Sequence, residues 1–150
     1  MCNVLHEIDP LTWLGLFTEN GKISQLLKPE GKLLLVEDTL IPHGEKAYQN
    51  GFLVLDTPEL KDLFVISEKD TDFVSKAQKL DRLKVHLIPK KCLIRINADT
   101  RRKALQSLSK KAKEKIHLIR KEEHPGYKHG KLHGFWVQQF ANSELTLAQL

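Results

Sequence analysis

The chain has 150 residues, 41% hydrophobic and 29% charged, enough for one domain with its own core. No apolar run approaches the ~20 residues of a membrane-spanning helix, and the first residues show no signal-peptide pattern. The net charge of +5 is uneven, with most Lys and Arg between residues 76 and 131; this permits an anionic partner, although a plain solvated helix face is the commoner cause. Two cysteines, Cys2 and Cys92, form neither a CxxC nor a disulfide framework, so a reducing, cytoplasmic setting is the expectation.

In chain order, Asp9-Pro10 predicts a helix start: an acceptor at the N-cap, then proline where a missing N–H costs nothing. Trp13, Leu14, Phe17, Ile23, Leu26 and Leu27 supply an apolar face. Asn20-Gly21 is a candidate break, because glycine inside a helix costs about 1 kcal/mol against alanine. Pro29-Glu30-Gly31 is a turn feeding KLLLVED, an uninterrupted apolar strand ending in two carboxylates. Such a strand is expected at the centre of a parallel sheet covered on both faces. Residues 1–37 therefore read as strand end, helix, turn and buried strand, most of a βαβ unit.

Residues 41–97 carry mixed signals. Gly44 to Leu55 combines helical and extended features, Thr57-Pro58 caps a short helix through Phe64, and Ser67 to Thr71 is a loop. Asp72 to Leu83 reads as helical, and Lys84 to Asn97 as two short extended pieces around Pro89. Farther on, Asp99 or Thr100 caps a helix whose apolar stripe is Ala104, Leu105, Leu108, Ala112 and Ile116. KIHLIRKEE then reads as a strand, HPGYKHGK as a loop and LHGFWVQQFAN as a second strand. Residues 116–122 and 133–140 are thus expected as an antiparallel pair, since their loop is too short for a crossover helix.

NVLHEI, a helix, and then LKPEGKLLLVED resemble the second half of class I S-adenosylmethionine-dependent methyltransferases. In that family an N/D-x-L-H-like strand end precedes a helix and an L-K-P-G-G-x-L-L-L-x-E turn and strand; Glu30 stands here where glycine is common. The resemblance covers residues 1–40 best and 98–142 moderately, with 41–97 as a family-variable insert in a single domain. It implies an α/β fold, the strand 4-5-7-6 side of a Rossmann-like sheet ordered 3-2-1-4-5-7-6, with helices and a C-terminal antiparallel pair. No glycine-rich GxGxG turn occurs in the sequence, and no acid stands in place to hold the cofactor ribose. The chain therefore reads as a C-terminal portion that binds S-adenosylmethionine weakly or not at all alone. The missing half, or a second chain, would pair at an exposed sheet edge.

The resemblance also names candidate residues. His6, just past a strand end, serves as general base on an acceptor hydroxyl, lines the pocket, or is structural. Glu7 orients His6 or caps the following helix. Asn3, Val4 and Leu5 border the cofactor, and Glu37 and Asp38 end the buried strand, where they bind a substrate amine or hydroxyl or one of them is a solvated loop acid. His124, His129 and His133 lie in one segment, but without cysteines they make a poor zinc cage. Tyr127 and Trp136, beside Lys128 and Lys131, offer stacking surfaces or core. The competing classes are a non-catalytic half-Rossmann assembly subunit and a basic nucleic-acid-binding module over residues 101–121.

Overall fold

The computed structural model describes residues 1–18, 20–41, 47–77 and 83–150. Residues 44–46 of the ambiguous segment and residues 78–82 of the helix expected over 72–83 lie outside them. The chain begins with a 3-10 turn (Leu5–Glu7) and helix α1 (Pro10–Leu16), with Pro10 in the first turn. The Asp9 carboxylate accepts the Thr12 amide at 2.8 Å and the Thr12 hydroxyl at 3.0 Å, the cap expected from the sequence. The break at Asn20–Gly21 separates α1 from α2 (Lys22–Leu26). It takes glycine because a Cβ at Gly21 would stand 2.3 Å from the Leu16 carbonyl oxygen. Ser24 Oγ ties the two helices by donating to the Phe17 carbonyl at 3.0 Å.

The protein is mixed α/β, with helices around a small three-stranded sheet. Strand β1 (Lys32–Asp38) pairs antiparallel with β3 (Leu83–Pro89), which pairs antiparallel with β2 (Val74–Ala77), in the order β1-β3-β2. Residues 1–3 lie parallel along the other side of β1. The Val36 amide donates to the Met1 carbonyl at 3.0 Å, and the Asn3 amide donates to the Val36 carbonyl at 2.6 Å. The expected central parallel strand is therefore corrected: among the described residues β1 is parallel to residues 1–3 only, and its ladder partner runs the other way. Nor are both faces of β1 covered. Leu33 and Leu35 are buried, whereas Leu34 is 50% exposed. An unbroken apolar run does not distinguish those two situations.

Residues 41–97 supply β2 and β3. They also hold α3 (Thr57–Phe64), capped by Asp56 rather than Thr57, and α4 (Lys90–Leu93), where an extended piece is expected after Pro89. Val74–Ala77, read as helical, is strand.

The C-terminal strand pair is overturned. Residues 116–122 and 133–140 fall largely in two long helices, α5 (Ala98–Arg120) and α6 (Tyr127–Gln149), which pack as a hairpin. The α5 cap is Asn97, whose side chain accepts the Thr100 amide at 3.0 Å. The stripe Ala104, Leu105, Leu108 and Ala112 continues to buried Ile116, while Leu118 is 62% exposed. A strand would have placed Ile116 and Leu118 on one face. In α6 the buried positions are Phe135, Gln139, Ser143 and Thr146. That spacing is helical, but its chemistry is mostly polar, so hydrophobicity conceals it. Ser143 and Thr146 satisfy their hydroxyls on the preceding turn, donating to the Phe140 and Asn142 carbonyls at 2.8 and 2.7 Å.

The main core gathers Trp13, Phe17 and Phe64, in edge-to-face contacts, with Leu35, Ile88, Leu105 and Leu108. A second cluster joins Phe52, Val54 and Phe135. Residues 52–54 lie in no helix or ladder; Gln139 acts as their neighbour. Its Oε1 accepts the Val54 amide at 2.8 Å and its Nε2 donates to the Phe52 carbonyl at 3.2 Å, with Asn142 Nδ2 donating to the same carbonyl at 2.9 Å. Gly51 makes the approach possible, with φ of +119° and an absent Cβ that would meet Asn142 Oδ1 at 2.8 Å.

Replacing Gln139 with Leu should destabilise the chain by about 2–3 kcal/mol, because it strands the buried Val54 amide. Replacing Gly134 with Ala should do the opposite by about 0.5–1 kcal/mol, since an added Cβ meets nothing within 4 Å. Urea unfolding at unchanged slope reads both.

Candidate functional site at the strand ends

Residues 1–3 and β1 run side by side and end together, and there the sequence-predicted residues meet. Asn3 takes a left-handed conformation (φ 51°), which asparagine tolerates better than most residues, and turns the chain away from the sheet. Its Oδ1 accepts the Asp38 amide at 3.3 Å. The Val4 and Leu5 amides both donate to Glu37 Oε1 at 3.0 Å, and Glu37 Oε2 lies 3.4 Å from His6 Nδ1. The His6 carbonyl accepts the Tyr48 amide at 2.8 Å. Asn3, Val4, Leu5, His6, Glu37 and Asp38 thus form one connected cluster.

A carboxylate facing Nδ1 orients an imidazole and settles which nitrogen points elsewhere, an arrangement suited to a base. As folded, however, His6 is only 1% exposed. Beside Glu37 a void of about 10 Å³, lined by Leu5, Trp13, Leu35, Glu37, Leu53–Leu55 and Leu60, is about the size of one water. Proton exchange with a substrate therefore requires the ring to be uncovered first.

Sequence reasoning missed a second polar group on the same sheet face. The register sets Glu37 opposite Lys84, and His86 between Leu35 and Ser75. Lys84 Nζ donates to Asp56 Oδ1 at 2.5 Å, while Lys111 of α5 reaches Asp56 at 3.7 Å and Glu59 at 3.2 Å. Burial alone would raise the Asp56 pKa; hydrogen bonds from Lys84 and the Thr57 amide and the charges of Lys111 and Lys84 outweigh it and hold it below the usual carboxylate value. Thr57 Oγ1 lies 2.9 Å from Ser75 Oγ and 3.0 Å from His86 Nε2, and the Phe73 ring stacks on the imidazole. His86 Nδ1 is buried without a hydrogen bond. Burial pushes the His86 pKa down; Asp56 opposes the shift and Lys84 adds to it. These residues span positions 56 to 111, and only strand register brings them together. The one local signal was Asp56 ahead of Thr57-Pro58.

Among the described residues no three His, Cys, Asp or Glu side chains could hold a metal ion. His129 Nδ1 accepts the Gly126 amide at 3.2 Å, and His133 Nε2 accepts from Arg120 Nε at 3.1 Å. Trp136 packs on Phe135, whereas Tyr127 is 78% exposed. No helix among the described residues is long and apolar enough to cross a membrane. Comparison with protein-family models, curated proteins and solved structures finds no match.

Glu37→Ala leaves two backbone donors unsatisfied and should cost about 2–4 kcal/mol of stability in urea unfolding, whereas Glu37→Gln, which keeps an acceptor oxygen, should cost less. The His86 shift sets a pH dependence. Its folded state takes up a proton less readily than the unfolded chain, whose imidazole titrates at about 6.5. The contribution is therefore complete above that value and lost as pH falls below it toward the lowered folded value. Between pH 7 and 5 the melting temperature should fall, and His86→Asn should flatten that fall.

Proposed function

We propose that this chain supplies the strand 4-5-7-6 side of a class I S-adenosylmethionine-dependent methyltransferase domain. The supporting observation is the backbone order. Residues 1–3, β1, β3 and β2 lie side by side; the first two are parallel, and β2–β3 is an antiparallel hairpin. Chain order against spatial order then matches 4-5-7-6, with β2 and β3 in the roles of strands 6 and 7. The hairpin lies earlier in the chain than the sequence reading placed it, and α5 and α6 follow the sheet.

Fold likeness alone does not assign an activity; the placement of the side chains adds to it. Ligands of open α/β sheets sit beyond the carboxyl ends of parallel strands, which is where Asn3 to His6, Glu37 and Asp38 cluster. Bound S-adenosylmethionine would supply an electrophilic methyl group. Asn3, Val4 and Leu5 would border it, His6 would take the acceptor proton once uncovered, Glu37 would orient His6, and Asp38 would face an acceptor amine or hydroxyl. The glycine-rich turn has no counterpart in the sequence, so these residues fit one wall of a cofactor site. The other wall would come from strands pairing along the outer edge of residues 1–3. A non-catalytic assembly role is the second reading, favoured by the burial of His6 and by the use of Glu37 to hold two amides.

Titrating S-adenosylmethionine into the ¹⁵N-labelled chain separates them. One wall of a site should give weak binding, about 1 mM or weaker, with shifts concentrated at Asn3–Glu7 and Glu37–Asp38. No shifts at ten times that concentration would leave the assembly role. Micromolar affinity would mean that the chain holds a complete site of a different design.

A further inference from the structure

We propose that the exposed face of the α5–α6 hairpin binds single-stranded RNA, a function independent of the methyl-transfer reading. The basic character of the protein resides in this element. Residues 98–134 contain eleven Lys and Arg against four Asp and Glu, and the rest of the chain thirteen against fifteen. Opposite the buried stripe of α5, Arg102, Gln106, Lys110, Lys113, His117 and Arg120 follow one another at spacings of three and four residues, and all are exposed. At 1.5 Å per residue the row from Arg102 to Arg120 extends about 27 Å.

Two other cations of the hairpin are committed elsewhere, Lys103 to Asp62 at 2.9 Å and Lys111 to Asp56 and Glu59. Among the described residues, Arg102, Lys110, Lys113 and Lys121 have no acid within ion-pair distance. Glu114, Glu122 and Glu123 border the row without neutralising it. At the end of the hairpin where the row finishes, Tyr127 is 78% exposed, and Lys131 Nζ lies 4.5 Å from its ring centroid. A row of cations neutralises successive phosphates, and an exposed aromatic ring with a cation beside it stacks an unpaired base. An acidic membrane fits less well, because the row itself carries no apolar side chain to insert between lipids.

The test is fluorescence anisotropy of the full chain with a fluorescein-labelled mixed-sequence RNA of about 20 nucleotides. Four or five neutralised phosphates give a slope of log affinity against log salt of about −3. The charge-reversed variant Lys110→Glu/Lys113→Glu/Arg120→Glu should bind at least about 30-fold more weakly, with folding checked by circular dichroism and by the milder Gln variants. A control with the same charge change at exposed sites elsewhere, Lys22→Glu/Lys28→Glu/Lys69→Glu, should lose less than about 3-fold. Tyr127→Ala should weaken binding by about 5-fold or more. Equal losses in the two charge variants, a flat salt dependence, or binding to phosphatidylserine vesicles without RNA binding would each overturn the proposal.

Discussion

The arrangement of the first nine residues depends on the carboxylate of Glu37. A buried charge is costly unless hydrogen bonds replace its water. Here the Val4 and Leu5 amides and the facing His6 imidazole do so. Because both amides point at one oxygen, the chain must fold back over the end of β1. That requirement places Asn3 in its left-handed conformation and presses residues 1–3 along Val36. Asp9 can then cap α1. A single side chain at a strand end thus couples strand pairing, turn and helix entry.

From Glu37 the polar character continues across the sheet face and outward. Lys84 stands opposite Glu37 and bonds Asp56, which starts α3; Lys111 joins Asp56 and Glu59 from α5. Signs alternate along this row, so each charge has an opposite neighbour. The row also links sheet, α3 and α5 where apolar packing alone would allow sliding. Farther out, Ser109 donates to Glu144 at 2.5 Å, and Gln139 and Asn142 hold residues 52–54. The hairpin is thus anchored by polar contacts near its base, leaving the cations toward its far end in solvent.

What could be read from the sequence followed from local chemistry. Asp9-Pro10, the break at Gly21 and the apolar strand ending in Glu37-Asp38 each announce themselves within a few residues. So does the α5 stripe from Ala104 to Ile116. The failures share a different cause. In α6 the buried face is Phe135 with Gln139, Ser143 and Thr146, polar residues usually found outside, and Gln139 finds its partners up to 87 positions away. β2 is four residues long and is recognisable only beside β3. The strand-end cluster was legible because two neighbouring strand ends carried its residues; the His86–Thr57–Ser75 group was not, because register assembles it.

The helix hidden from the sequence also holds the passage that leads back to the strand-end cluster. The chain from Tyr48 to Leu55 passes beside the cluster: the Tyr48 amide bonds the His6 carbonyl, and Leu53–Leu55 line the void beside Glu37. That passage is held at Phe52 and Val54 by three hydrogen bonds from α6 side chains and by the packing of both residues on Phe135. Displacing this passage therefore means releasing the Gln139 amide from two backbone partners, with buried polar groups exposed on both elements. The side chains that hold this passage lie in α6, remote in sequence from every residue of the strand-end cluster.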